Sequence, residues 1–140
     1  MAVINGTAKD DFLDGTILDD VIRGYDGNDE ITGDEGNDRI YGGFGTDHIS
    51  GGLDNDSLWG DDGHDELYGN EGNDALYGGA GSDHIDGGVG TDLLRGGDGY
   101  DTLLGGDGGD TLKAEGGDDF LDGGAGNDVL DGGDTPDVGW

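Results

Sequence analysis

From Ile4 to Leu130 a branched aliphatic residue returns every ninth position: Leu13, Ile22, Ile31, Ile40, Ile49, Leu58, Leu67, Leu76, Ile85, Leu94, Leu103, Leu112 and Leu121 lie between them. An aspartate keeps the same step two residues earlier, from Asp11 to Asp137. Glycine dominates the first four positions of each unit, as in Gly42-Gly43-Phe44-Gly45-Thr46-Asp47-His48-Ile49-Ser50. Numbered from Gly6, fifteen such units follow one another without insertion or deletion. Strict self-similarity at a short period marks a solenoid rather than a fold with one central core.

Three residues after the aspartate are too few for a helix. Their outward, inward, outward alternation predicts a very short strand with the aliphatic residue buried. The preceding hexapeptide predicts a tight turn, since glycine reaches positive φ at no steric cost and lets backbone approach closely. One coil then takes two units, with strands on opposite sides and two aliphatic columns meeting between them. Alternate units stack at about 4.8 Å, so seven to eight coils make a rod roughly 35 Å long.

The regularity weakens at both ends of a single domain spanning residues 1–140. Residues 1–23 read as an N-terminal lead-in or cap, because Lys9 and Leu18 stand where glycine belongs at position four. Residues 24–131 form the regular array, although the thirteenth unit, Ala114-Glu115-Gly116-Gly117-Asp118-Asp119, lacks its first two glycines. Residues 132–140 are a degenerate last repeat, in which Pro136 biases Thr135 toward extended conformations. Asp11, Asp119 and Asp137 therefore belong to irregular units.

Composition changes the picture from geometry to chemistry. Thirty-five acidic residues against five basic ones give a formal charge of -30, and 36 of the 140 residues are glycine. Leu, Ile, Val and Phe make up only about a fifth of the chain, at the border where such a charge leaves a polypeptide disordered. The charge argues against nucleic acid and anionic membrane surfaces and in favour of cations. Cysteine is absent, so disulfides and thiolate metal sites are excluded. No apolar run approaches a membrane span, and Met1-Ala2-Val3-Ile4-Asn5 lacks the features of a signal peptide.

The units at Gly42–Ser50, Gly78-Gly79-Ala80-Gly81-Ser82-Asp83-His84-Ile85-Asp86 and Gly123-Gly124-Ala125-Gly126-Asn127-Asp128-Val129-Leu130-Asp131 resemble the calcium-binding nonapeptide of repeats-in-toxin (RTX) proteins, of the hemolysin type. The resemblance implies an all-β fold, a right-handed parallel β-roll with calcium between the loops of successive coils. It implies as metal ligands the carboxylates of Asp20, Asp29, Asp38, Asp47, Asp56, Asp65, Asp74, Asp83, Asp92, Asp101, Asp110, Asp119 and Asp128, with loop carbonyls such as those of Gly42, Phe44, Gly45, Gly78, Ala80 and Gly81. Asp47 would share ions with Asp29 and Asp65, two units away, rather than with adjacent Asp38 and Asp56. Calcium suits an all-oxygen set, whereas magnesium demands a tighter octahedron and transition metals prefer imidazole or thiolate. About eight to twelve ions are expected, and they would cancel most of the charge. The resemblance also implies bacterial export by type I secretion, with folding on calcium outside the cell and stabilisation of attached domains. The secretion signal expected after the repeats is not in Val138-Gly139-Trp140.

A second period of eighteen residues sorts the outward positions onto two faces. The even-numbered units carry Arg23, Arg39, Tyr41, Trp59, Tyr77, Arg95 and Lys113, every basic residue except Lys9. Aromatic rings beside guanidinium groups could bind an acidic polysaccharide or a partner, or could simply stabilise neighbouring strands. The odd-numbered units carry the column Glu30, His48, Glu66, His84, a weak candidate for zinc because the histidines are two coils apart. His64 reads as an ordinary position-five loop residue. No nucleophile, base and orienting group stand together outside the repeat, so an enzyme is not expected. Unpaired strand edges at the rod ends would favour end-to-end self-association.

Overall fold

The computed structural model describes residues 1–133. It is a parallel β-solenoid of about seven turns built from two facing sheets. Strands are numbered along the chain. One sheet stacks β1 (Val3–Asn5), β3 (Val21–Asp26), β5 (Arg39–Gly45), β7 (Ser57–Gly63), β9 (Ala75–Ala80), β11 (Leu93–Asp98), β13 (Thr111–Gly116) and β16 (Val129–Asp131). The other stacks β2 (Phe12–Thr16), β4 (Glu30–Glu35), β6 (His48–Leu53), β8 (Glu66–Glu71), β10 (His84–Gly90), β12 (Thr102–Gly108) and β14 (Phe120–Asp122), with β15 (Ala125–Gly126) also on β12. No helix among the described residues is long and apolar enough to cross a membrane.

Pairing is parallel and advances eighteen residues per step, as in Arg39↔Ser57, Ile40↔Leu58 and Tyr41↔Trp59. Two units therefore make one coil. Register is fixed because a one-residue slip would turn the aliphatic column outward. The aliphatic residues from Ile22 to Leu112 are wholly buried between the sheets, and Leu13 and Leu121 nearly so. This core is one residue deep on each side.

The strands are longer than the predicted triplets. Inward positions run six, eight and one: Asp47, Ile49 and Gly51 are buried while His48 is exposed and Ser50 half-buried. The ladder then continues into the next unit's loop, pairing Gly43↔Asp61, Phe44↔Asp62 and Gly45↔Gly63. Identical loops stacked in register can satisfy one another's backbone groups, so the chain does not leave the ladder to turn. Position two takes φ between 70° and 82° even where it is Tyr25, Asp34, Asp61, Asn70 or Glu115. Side-chain residues endure the left-handed region here because the ladder holds them, on both sides at Asp34, Asp61 and Asn70 and on one side at Tyr25 and Glu115.

Candidate metal centre

The position-six aspartates point inward. Asp20 and every position-six aspartate from Asp29 to Asp119 is at most 3% exposed. One carboxylate oxygen reaches back to the preceding coil: the N–H groups of Asp29, Asp47 and Asp65 donate to Oδ1 of Asp47, Asp65 and Asp83 at 2.8 to 2.9 Å. The same bond repeats up to Asp110 N–H on Asp128 Oδ1. Coils are thereby clipped together at every turn.

The second oxygen is different. In the ten aspartates Asp29, Asp38, Asp47, Asp56, Asp65, Asp74, Asp83, Asp92, Asp101 and Asp110, Oδ2 is buried without a hydrogen-bond partner. It faces the position-one glycine of its own unit. A Cβ built on Gly24 would stand 2.1 Å from Asp29 Oδ2 and 2.6 Å from the carbonyl oxygen of Gly42, one coil on. On Gly60 it would stand 2.5 Å from Asp65 Oδ2 and 2.7 Å from the Gly78 oxygen. Carboxylate and carbonyl oxygens thus converge on a space that any side chain would fill. At position four, a Cβ on Gly63 would stand 1.7 Å from the Gly45 oxygen, and one on Gly99 1.5 Å from the Gly81 oxygen. The Phe44 carbonyl accepts from Gly27 N–H at 2.9 Å, so its remaining lone pair is what it could offer a cation.

A buried anionic oxygen with no donor is costly unless a cation neutralises it. Burial pushes these carboxyls up from the ordinary 3.8, to about 6 in Asp38, Asp47 and Asp92 and to about 7 in Asp56, Asp65 and Asp101. Burial also raises Asp29, Asp74, Asp83 and Asp110. Among the described residues no group of three or more His, Cys, Asp or Glu side chains could hold a metal ion. Any ion here must take backbone carbonyls alongside carboxylate, which suits calcium's tolerant all-oxygen coordination. The donor set fits.

A known repeat matches the same columns. The model of the RTX calcium-binding nonapeptide repeat matches four times, over residues 14–49, 41–76, 68–103 and 104–138. The chain belongs to the RTX family. RTX repeats bind calcium and form a structural module, and the family is typically one of secreted bacterial proteins. No curated protein matches the chain.

Three members of the RTX aspartate column differ from the rest. Asp20 accepts from Ala2 N–H at Oδ1 and from both the N–H and the hydroxyl of Thr16 at Oδ2. The Ala2 bond leads the causes that hold its carboxyl below the ordinary value. Asp11 Oδ2 likewise accepts from Thr7 N–H and Oγ1. In the thirteenth unit, Ala114 puts a fully buried methyl where other units keep a hydrogen beside the carboxylate. Asp128 occupies the column as the last described member, and Asp137 lies outside the described residues.

Position five was not singled out from the sequence, yet it supplies a second ladder of opposite direction. Oδ1 of Asn28, Asn37, Asn55 and Asn73 accepts from the N–H of Thr46, Asn55, Asn73 and Thr91, one coil later. His64 plays the same part, its Nδ1 accepting from Ser82 N–H at 2.7 Å. The frequency of asparagine at this position was the available signal.

On the even face, Tyr41 and Trp59 stack at 4.6 Å and Trp59 and Tyr77 at 5.3 Å, nearly parallel. Arg23 lies over Tyr41 at 5.5 Å and Arg95 over Tyr77 at 6.0 Å. The ring faces are spent on one another and on the guanidinium groups, so a sugar finds edges rather than faces. Arg95 also pairs with Glu115 at 3.4 Å, beside a cleft of about 330 Å³ that Asp98 shares, and Lys113 is its neighbour on the next strand. Arg39 lies in register with Ser57, off this stack. Two carboxylates in the cleft disfavour an acidic polysaccharide. On the odd face, His48 Nδ1 contacts Glu66 Oε2 at 3.0 Å, and the Tyr68 ring lies 5.2 Å from His48 and 5.9 Å from His84.

Proposed function

We propose that this chain is a calcium-loaded RTX module whose ions lie between successive loops and convert an unfolded acidic chain into the β-roll after export. The observation that carries this is the column of buried Oδ2 atoms without hydrogen-bond partners, each aimed at a glycine-bare space edged by a carbonyl. The holding residues are the ten aspartates from Asp29 to Asp110 with the position-one carbonyls of the unit two ahead, such as Gly42 and Gly78. Bound calcium supplies the positive charge those oxygens require. Ten divalent ions carry 20 positive charges against the formal -30, leaving about -10.

The cellular logic follows from affinity. Extracellular calcium modules work near about 10⁻⁴ to 10⁻³ M, concentrations absent from the cell interior. The chain would stay unfolded for passage and fold outside, stiffening whatever domain it is attached to. The stacked rings Tyr41, Trp59 and Tyr77 act in this account as a cross-strand ladder contributing about 0.5 to 1.5 kcal/mol per pair.

Asp65→Asn tests the assignment at one rung. Asparagine keeps the oxygen that accepts from Asp47 N–H and removes the charge. Titration calorimetry should count at least one ion fewer than in the unaltered chain, with a weaker overall affinity. An unchanged count and affinity would remove Asp65 from the ligand set.

A further inference from the structure

The first coil departs from the rest in backbone and in side-chain bonding at once. From the third unit onward, position two is left-handed throughout the described chain, from Tyr25 at φ 82° to Gly133 at φ 83°. Thr7 and Thr16, which hold that position in the first two units, are not among the positive-φ residues, nor are Lys9 and Leu18 at position four. A β-branched residue is strained in that region, so the loop closes in another way. With ordinary backbone, each threonine turns its N–H and its hydroxyl onto Oδ2 of its own unit's aspartate, at 2.6 and 2.8 Å for Thr7–Asp11 and 2.9 and 2.7 Å for Thr16–Asp20. Oδ2 is the oxygen that lacks a hydrogen-bond partner from Asp29 to Asp110.

Oδ1 of Asp20 still makes the usual backward bond, here to Ala2 N–H. Both loops also keep the clip to the next coil, with Asp11 N–H on Asp29 Oδ1 and Asp20 N–H on Asp38 Oδ1, and neither has an open Oδ2. Two hydrogen-bond donors have taken the place a cation would have, and the carboxylate is satisfied without metal.

We propose that Thr7 and Thr16 make the first coil a metal-independent cap that sets the N-terminal boundary of the calcium columns at Asp29 and Asp38. This inference rests on the calcium assignment above. It excludes Asp11 and Asp20 from the ligand set, although their sequence position equals that of the ten others. It also explains how an array that depends on metal begins without a half-filled site: the first two carboxylates are hydrogen-bonded by local donors, not held by an ion with ligands from one side only.

The test is a calcium count by titration calorimetry on the full chain and three variants. Asp20→Asn should bind as many ions as the parent, whereas Asp38→Asn should lose at least one. Thr16→Gly combined with Leu18→Gly restores glycine at positions two and four, and should add one ion per chain. A loss of calcium in Asp20→Asn equal to that in Asp38→Asn would overturn the proposal, and so would a glycine variant that gains none. If Asp38→Asn does not fold, hydrogen exchange on the calcium-loaded parent and on Thr16→Val decides. Faster exchange confined to residues 1–23, with an unchanged count, supports the cap, and no change in exchange refutes it. Absence of calcium binding in the parent would instead sink the calcium assignment itself.

Discussion

Stripping calcium at neutral pH is expected to abolish the β-roll. Far-ultraviolet circular dichroism in excess chelator should show a largely disordered chain, and restoring about 1 mM calcium should return the β signal. At a site affinity of about 10⁻⁴ M, that concentration contributes about 1.4 kcal/mol per ion, so ten ions contribute about 14 kcal/mol. Whole domains of this size are stable by about 5 to 15 kcal/mol, so the ions account for essentially all of the margin. The metal-free roll would also have to bury ten carboxylate oxygens that have no hydrogen-bond partner. Each ionised one costs several kcal/mol, and the aliphatic core one residue deep on each side has little to set against that.

Acidification of the metal-free chain is expected to do part of calcium's work. In the unfolded chain the aspartates titrate near their ordinary 3.8, whereas burial raises Asp56, Asp65 and Asp101 to about 7 and Asp38, Asp47 and Asp92 to about 6 in the fold. The folded state therefore binds more protons than the unfolded state between these limits. By linkage, this contribution to stability is complete below about 3.8 and disappears as pH rises through 6 to 7. In chelator, β structure should increase as pH falls from about 7.5 to about 5. With calcium present the effect reverses, since protons compete for the same oxygens and the calcium midpoint should rise over that interval. A chelated chain whose dichroism is flat across this range would contradict the burial of ionisable oxygens.

The sequence disclosed the architecture because each unit repeats the same physics. Leu67 and Asp65 mean little alone, but their recurrence at nine residues shows which side chain is buried and which is conserved in place along the solenoid. The eighteen-residue step, and with it the sharing of a column by Asp29, Asp47 and Asp65, followed from a strand too short to turn back on itself. Strand length did not follow. Glycines and residues such as Asp34 and Asn70 signal a turn locally, and only stacking shows that the turn is itself hydrogen-bonded to its neighbour, as in Gly52↔Asn70.

The site was legible in residue type and illegible in bonding. Nothing in the spacing distinguishes Asp20 from Asp29, since both sit at position six. The difference lies in a threonine four residues earlier, whose hydroxyl meets Asp20 only once the loop has an ordinary backbone. Lys9 and Leu18 marked these units as irregular without revealing that the irregularity satisfies a carboxylate. Arg95 was visible as part of a basic stripe, but its partner Glu115 reaches it from a loop position twenty residues on.

The most direct test of calcium-driven folding is a calcium titration of the metal-free chain, followed together by hydrodynamic radius and calorimetry. A single cooperative transition is expected, in which the chain takes up about ten ions as its radius contracts from that of a disordered coil to that of a compact rod. A chain already compact in chelator, binding calcium with no change in radius, would contradict the account.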